Sequence, residues 1–352
     1  MNYLPKNLNF KEGIAYIGET SLTDVAKNYG TPLYVYDWEH LKGNIDAFTE
    51  AFGKDALFRY AAKAFISKAL VKELDEKGWG IDVVSGGEMA TVQETVGTLE
   101  NTVFNGTFKR ADEIEYFIQN NGGHISIDNR YEIEMLEKTA SSLKKKQPVI
   151  MRINLDVGAE THPMVLTSGY DQQFGISISF AEEALNQIAS SKSLLFSGIH
   201  VHIGSQIKDP ERYKLAMSSC SEFMNSNLEK VEGEAVFNAG GGFFSPYAGE
   251  EVDHELSVYS KAIHDGIKEH WGEGYKIMIE PGRALVNNPG VILYTAGAIK
   301  ADRGDKPYIL VDGGMSDNPR PALYGSEHKL FNISGGKSEN ETVYAVSGRH
   351  CE

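Results

Sequence analysis

Leu57-Phe58-Arg59-Tyr60-Ala61-Ala62-Lys63-Ala64-Phe65 is the stretch from which the rest of the chain can be read. Its apolar, β-prone residues predict a short buried strand that ends in one lysine, with a helix following at once. A lone lysine in such a place is usually a snorkelling surface side chain. At the C-terminal mouth of a barrel strand it is instead placed for chemistry, and an amine there can form a Schiff base. The residues on either side decide between these readings.

Outward from this stretch one unit repeats: an apolar strand, a polar or glycine-rich end, and usually a helix. The strand candidates are 57–63, 80–85, 102–106, 125–129, 149–154, 196–205, 235–242 and 276–283. Between them Ile66, Leu70 and Leu74 mark one apolar helix face, closed by Gly78 as a C-cap. Tyr131–Glu137 opens a second helix and 254–271 is a third. Eight such units predict an α/β fold built on a parallel (β/α)8 barrel. A doubly wound open sheet fits less well, because no G-x-G-x-x-G follows the first strand. The eighth strand has no obvious helix after it. A helix carrying Leu41, Ile45, Phe48 and Phe52 is available to close the ring instead.

The flanks read differently. Thr20–Lys27 is a short capped helix, and Pro32 leads into the β-rich run Leu33–Tyr36. Beyond Ala284 the runs Val291–Tyr294, Tyr308–Val311 and Thr342–Val346 predict strands without long helices between them. Residues 1–38 are therefore expected to join 284–352 in a second, β-rich domain, with the barrel over 39–283. The sequence stops at Cys351-Glu352, straight after a predicted strand, which reads as a truncated, incomplete β domain. Residues 155–179, with Thr161-His162-Pro163 and Phe174-Gly175-Ile176, form a long connection expected to be functional.

Composition narrows the chemistry. The 352 residues are 41% hydrophobic and 24% charged, which gives a sizeable core. A net charge of −15 argues against nucleic acid or an anionic membrane as partner. Two cysteines, Cys220 and Cys351, make no metal spacing, and the N-terminus has no signal-peptide pattern, so a reducing cytoplasm is expected.

Polar residues then gather where a barrel builds its site. Gly240-Gly241-Gly242 ends the seventh strand and lets a backbone approach an anion, although a tight turn alone would use the same residues. Glu280-Pro281-Gly282-Arg283 ends the eighth, where Arg283 could hold a phosphate or carboxylate and Glu280 could pair with a ring nitrogen. His200 and His202 end the sixth, and alternation puts them on one side of the strand. No further ligands of metal-site spacing accompany them, so no metal is expected. A ring stacked on a flat cofactor suits His202, and a hydrogen-bonded core histidine suits His200. A lysine, an anion cradle, a carboxylate and a stacking imidazole together equip a pyridoxal phosphate site.

The ordered motifs Gly30-Thr31-Pro32-Leu33-Tyr34-Val35-Tyr36, Tyr60-Ala61-Ala62-Lys63-Ala64, Asp82–Glu88, His202-Ile203-Gly204-Ser205-Gln206, Gly240–Gly242, Glu280–Arg283, Arg320-Pro321-Ala322-Leu323-Tyr324 and Cys351-Glu352 extend this over nearly the whole chain. In them the sequence resembles the fold-type III pyridoxal phosphate decarboxylases, and among these the diaminopimelate decarboxylases. The resemblance implies that Lys63 carries pyridoxal 5'-phosphate, His202 stacks on its ring and Glu280 pairs with its nitrogen. It implies a phosphate site at Ser205, Gly241, Gly242, Gly282 and Arg283. It further implies that Arg283, Arg320 and Tyr324 bind the carboxylates of an amino-acid substrate, that Cys351 donates a proton, and that Glu352 recognises the distal amine. In relatives the Cys-Glu pair enters from the other subunit, so a homodimer with active sites at the interface is implied. The implied activity is decarboxylation of meso-2,6-diaminopimelate to L-lysine. A decarboxylase of ornithine, arginine or carboxynorspermidine is the alternative, although its substrate would leave Arg320 without a partner. A racemase would need no Cys-Glu donor, and a binding homologue that has lost catalysis would not need Lys63, Glu280 and Cys351 intact. Two departures stand out. Gln173 replaces the family's usual lysine before Phe174-Gly175, and the sequence ends before the family's Gly-Ala-Tyr segment.

Overall fold

The computed structural model describes residues 3–155, 173–247, 250–251, 254–302, 306–335 and 343–350. Two compact units account for them, one of residues 45–244 and 253–284, the other of 1–44, 245–252 and 285–352.

The first unit is the parallel barrel. Its strands are β1 (Leu57–Ala61), β2 (Gly80–Val83), β3 (Thr102–Phe104), β4 (His124–Ile127), β5 (Gln147–Asn154), β6 (Leu194–His200), β7 (Ala235–Asn238) and β8 (Tyr275–Ile279). Each is hydrogen-bonded to the next, and β8 pairs with β1, so the ring of eight closes. Closure removes the exposed edges that an open sheet would leave.

Side-chain alternation sorts the barrel interior into layers. Leu57, Val103, Ile150 and Val236, one from each odd-numbered strand, pack together with Met278 of β8. This is the interlocked apolar layer expected of such barrels. Two residues further along each strand, the inward positions are no longer apolar. The odd strands present Arg59, Asn105, Arg152 and Asn238, and the even strands present Asp82, Ser126, His200 and Glu280. The outward faces stay apolar, and on one of them the Phe58 ring stacks on Trp79 of the connection before β2 at 4.5 Å between centroids.

Helices follow β1 to β7 in turn: Lys68–Glu76, Gly86–Val96, Ala111–Gln119, Arg130–Ser142, Ile178–Ser190, Glu211–Asn225 and Leu256–Lys268. Their N-termini start from the loops at the strand C-termini. Polar side chains cap several of them: Ser67 accepts from Leu70 N at 3.2 Å, Ser85 from Glu88 N at 3.3 Å and Asn129 from Glu132 N at 3.2 Å. Each cap satisfies an N–H group that the helix leaves over. After β8 comes the short helix Arg283–Val286. Within the barrel unit, Phe48 and Phe52 of the helix Trp38–Phe52 pack against Phe243, and Phe48 also against Trp79.

Several strands are shorter than their sequence pattern. Three end at His200, Asn238 and Ile279, so His202, Gly240–Gly242 and Glu280–Gly282 lie on the loops beyond, and Arg283 opens the short helix after β8. Alternation along β6 therefore does not reach His202. Lys63 likewise lies past β1, in the 3-10 turn Ala62–Ala64. In the long connection, Ile176–Ser177 adds a two-residue strand to β5, while Thr161-His162-Pro163 lies outside the described residues.

In the second unit, Leu8–Lys11, Ile14–Ile17 and Thr20–Ser21 form an antiparallel sheet, and Ser21 caps the helix Leu22–Tyr29. Leu33–Tyr36 pairs antiparallel with Gly290–Leu293, which ties the N-terminal run to the segment after the barrel. A further sheet holds Ala296–Lys300, Tyr308–Val311 and Ala345–Ser347. Two features were not legible in the sequence. The strands over 8–21 are short and weakly patterned, and Ala296-Gly297-Ala298 are poor β-formers that owe their conformation to pairing with Tyr308–Val311.

Ser67→Ala should cost about 1 kcal/mol, since the first helix of the barrel loses its cap. A fall in the urea midpoint with unchanged slope is the expected result, and an unchanged midpoint would refute the assignment of the cap.

Candidate active site

Four loops meet at the C-terminal end of the barrel. The Lys63 turn packs on the loop after β8: Ala61 N donates to Pro281 O at 3.1 Å. A Cβ built on Gly282 would stand 3.1 Å from Ala61 Cβ and 3.3 Å from Ala64 Cβ. Lys63 itself is exposed at this mouth.

The loop after β7 is pressed between its neighbours. Glu280 N donates to Gly240 O at 2.8 Å, and Gly241 N donates to His202 Nδ1 at 3.2 Å. A side chain at Gly241 would put a Cβ 2.3 Å from Glu280 O. At Gly242, φ is 95° and a Cβ would meet Gly204 O at 2.2 Å. Both the backbone conformation and the close approach demand glycine here. Ser205, exposed, follows Gly204 on the neighbouring loop.

Below the loops the polar layers form a connected network. Asn105 Nδ2 donates to Asp82 Oδ1 and to Glu280 Oε1, each at 2.8 Å. Asn238 Nδ2 donates to the same Glu280 Oε1 at 2.6 Å, and Asn238 Oδ1 accepts from Gly240 N at 2.9 Å. Glu280 Oε2 lies 3.3 Å from His200 Nε2, in poor alignment for a hydrogen bond. The other ring nitrogen of His200 shares a 3.0 Å hydrogen bond with Ser126 Oγ. His200 is thus a core histidine tied into the barrel, and His202 is the ring at the mouth. Burial, helped by the nearby cations of Lys63 and Arg152, holds both imidazoles well below their usual range and so neutral.

Asp82 is almost fully buried, and its carboxyl is pushed up to about 7, first by burial and then by the charge of Glu280. Its Oδ2 has no hydrogen-bond partner among the described residues. Two carboxyl groups joined through one amide therefore share this floor, and burial favours a proton on Asp82.

A third group of charges stands at the ends of β4 and β5. Arg152 lies over the Phe174 ring at 4.6 Å and 3.5 Å from Asp128 Oδ1. Asp128 Oδ1 also accepts from Gly175 N at 3.1 Å. The buried Lys109 bonds both oxygens of Glu132, at 3.1 and 3.0 Å. Arg152, Asn154, Phe174, His202 and Ile203 line a small cleft at this end of the barrel.

Lys63, His202, Gly241, Gly242, Glu280, Gly282 and Arg283 thus come together in the barrel unit. Arg320 opens the helix Arg320–Tyr324 of the other unit, with its guanidinium 5.7 Å from the Tyr247 ring centroid. Cys351 and Glu352 lie outside the described residues. Sequence reading missed Asp82, Asn105, Arg152 and Asn238 as site residues. The available signal was a polar residue recurring at the inward position near the end of an apolar strand. The donor set fits a phosphate-bearing aromatic cofactor. Loops that exclude side chains surround the cradle, an amine stands at the mouth, and one fixed carboxylate lies below.

Comparison with known proteins agrees. Residues 39–287 match the family described as pyridoxal-dependent decarboxylase, pyridoxal binding domain. The chain is 34% identical to diaminopimelate decarboxylase of Bacillus subtilis (strain 168) over 353 residues, covering 97% of this chain and 80% of the relative. It is 32% identical to diaminopimelate decarboxylase of Aquifex aeolicus (strain VF5), covering 98% and 81%. The crystal structure of diaminopimelate decarboxylase from M. jannaschii in co-complex with L-lysine superposes with a TM-score of 0.89 at 30% identity, over 99% of this chain and 82% of that one.

The raised Asp82 gives a pH test. Its folded value of about 7 lies above the unfolded value near 3.9. Between those pH values the folded state binds more protons, so this group's contribution to stability falls as pH rises. Asn cannot titrate. The melting temperature of Asp82→Asn relative to native protein should therefore climb from pH 4 to pH 7 and level off above. A difference constant across that range would refute the assignment.

Proposed function

From its membership of the pyridoxal-dependent decarboxylases, in the diaminopimelate decarboxylase family, we propose that this chain decarboxylates meso-2,6-diaminopimelate to L-lysine with pyridoxal 5'-phosphate held at Lys63. The observation that carries this reading is Glu280. It is buried, two asparagine amides fix its Oε1, and it lies beneath the loops of Lys63, His202 and Gly241. Such a carboxylate is suited to holding a proton on a ring nitrogen.

When bound, the cofactor supplies an electron sink for the pair left behind by departing CO2. The residues do the rest. Lys63 would anchor the cofactor through its side-chain amine. Glu280 would face the ring nitrogen and favour its protonated form, and His202, neutral, would offer a flat face for stacking. Ser205, Gly241, Gly242, Gly282 and Arg283 hold the phosphate. Arg283, Arg320 and Tyr324 bind carboxylates, Cys351 delivers a proton to the α-carbon and Glu352 receives the distal ammonium. A substrate with two amino-acid ends offers Arg320 a distal carboxylate, which a simple diamino acid does not carry. The same reading takes residues 1–38 with 284–352 as the β domain and 39–283 as the cofactor domain. It makes the working form a cytoplasmic homodimer with sites at its interface.

Lys63→Ala should remove both the yellow absorbance and CO2 release. Borohydride fixation of native protein followed by peptide mapping checks the attachment, and label on another lysine would refute it. Arg320→Ala should weaken substrate use far more than cofactor binding, by a charge-assisted contact of about 1.5–3 kcal/mol. Separate titrations of cofactor and substrate decide this, and equal losses in both would overturn the role.

A further inference from the structure

Two tyrosines of the helix layer have no part in the chemistry above. Tyr213 lies in the first turn of the helix after β6, and Tyr259 in the first turn of the helix after β7. Both are buried in an aromatic cluster with Phe243. The Tyr213 ring stacks on Phe243 at 5.4 Å between centroids, and Tyr259 meets both rings edge-on at 5.8 Å. A phenylalanine would fill such a place equally well, and a phenol there is costly unless its hydroxyl is bonded. Both hydroxyls are bonded, each to the backbone of a loop at the barrel mouth. Tyr213 Oη donates to Gly241 O at 2.8 Å. Tyr259 Oη bonds Ile207 O at 2.8 Å and Lys208 O at 3.1 Å. Ile207 N in turn donates to Gly242 O at 2.9 Å, which ties the two loops together.

The bond to Gly241 O has a directional consequence. In a trans peptide the carbonyl and the N–H that follows it point in opposite directions. Glu280 N holds Gly240 O, and the other end of that peptide, Gly241 N, is turned to His202 Nδ1. Tyr213 holds Gly241 O from the helix side. The other end of this second peptide, Gly242 N, is therefore turned away from the helix layer. It has no hydrogen-bond partner among the described residues, and Gly242 is partly exposed. With φ at 95° and no side chain, Gly242 leaves that N–H open to an approaching anion. Burial raises the Tyr213 phenol well above its ordinary range, so it stays protonated and remains a donor.

We propose that Tyr213 is a positioning residue for anion binding: its hydroxyl fixes the Gly241–Gly242 peptide so that Gly242 N–H is presented to a phosphate. Gly241 then serves the site through its carbonyl, since its own N–H is already taken by His202. This inference rests on the phosphate site proposed above.

The test uses the full chain free of cofactor, with inorganic phosphate, pyridoxal phosphate and pyridoxal as probes. In native protein carrying isotopically labelled glycine, saturating inorganic phosphate should shift the Gly242 amide proton downfield in the NMR spectrum. A Gly242 resonance that ignores bound phosphate would overturn the proposal. Tyr213→Phe keeps the ring and removes only the hydroxyl. It should bind inorganic phosphate and pyridoxal phosphate on the order of tenfold more weakly. Its affinity for pyridoxal, which carries no phosphate, should stay at the native value. That split separates orientation of the peptide from a general loosening of the barrel, which would weaken both forms alike. Equal losses for pyridoxal and pyridoxal phosphate, or none for either, would overturn the proposal. Native protein that binds both phosphates while Gly242 stays silent keeps the cofactor assignment and removes only the role of Tyr213. Native protein that binds neither phosphate overturns both.

Discussion

Two carboxylates inside a parallel barrel are the constraint on which the rest of this structure depends. Asp82 and Glu280 project into the space that the layer below fills with Leu57, Val103, Ile150 and Val236. Burying them is unfavourable unless every oxygen is answered. The answer is built from the strands themselves. Asn105 and Asn238 donate to Glu280, and Asn105 also reaches Asp82. The remaining negative charge is met by cations in the surrounding layers. Each partner comes from a different strand, so the network forms only when the barrel is closed in the correct register.

Apolar and polar layers divide the labour. The lower layer and the outward faces, such as Phe58 on Trp79, supply hydrophobic stabilisation that no functional residue disturbs. The upper layers give up that stabilisation in return for fixed dipoles and charges. Asp82, whose Oδ2 has no hydrogen-bond partner among the described residues, marks where this exchange is least balanced. Such groups belong where chemistry is done rather than where a fold is held together.

The barrel was readable because its outward helices and buried strands repeat with a strong period. All eight predicted strands overlap observed ones, and Leu33–Tyr36 is found with the bounds expected. The residues at the loop ends were readable because glycine runs, a Glu-Pro-Gly-Arg and a lysine after a strand are distinctive. The floor beneath them was not. Asn105 in Thr-Val-Phe-Asn-Gly and Asn238 in Val-Phe-Asn-Ala-Gly look like strand ends, since nothing local shows that both amides converge on one carboxylate from distant strands. The end of β6 was misjudged for a similar reason. Val201-His202-Ile203 continues the alternating pattern, but Gly240–Gly242 crowds against the chain there and ends the strand at His200.

The seven helices that follow β1 to β7 all begin at the same end of the barrel. Each brings the positive end of its helix dipole to that end. Around them the protein carries a net charge of −15, which would repel anions from most of its surface. At the rim the helix dipoles oppose that repulsion, and such fields act on approaching molecules before any contact is made. Capture of a phosphate-bearing molecule becomes a matter of guidance as well as fit. Dissolved salt blunts attraction and repulsion alike over a distance of about 8–10 Å. The rate of loading should then depend on ionic strength in a way that the bound geometry alone would not reveal.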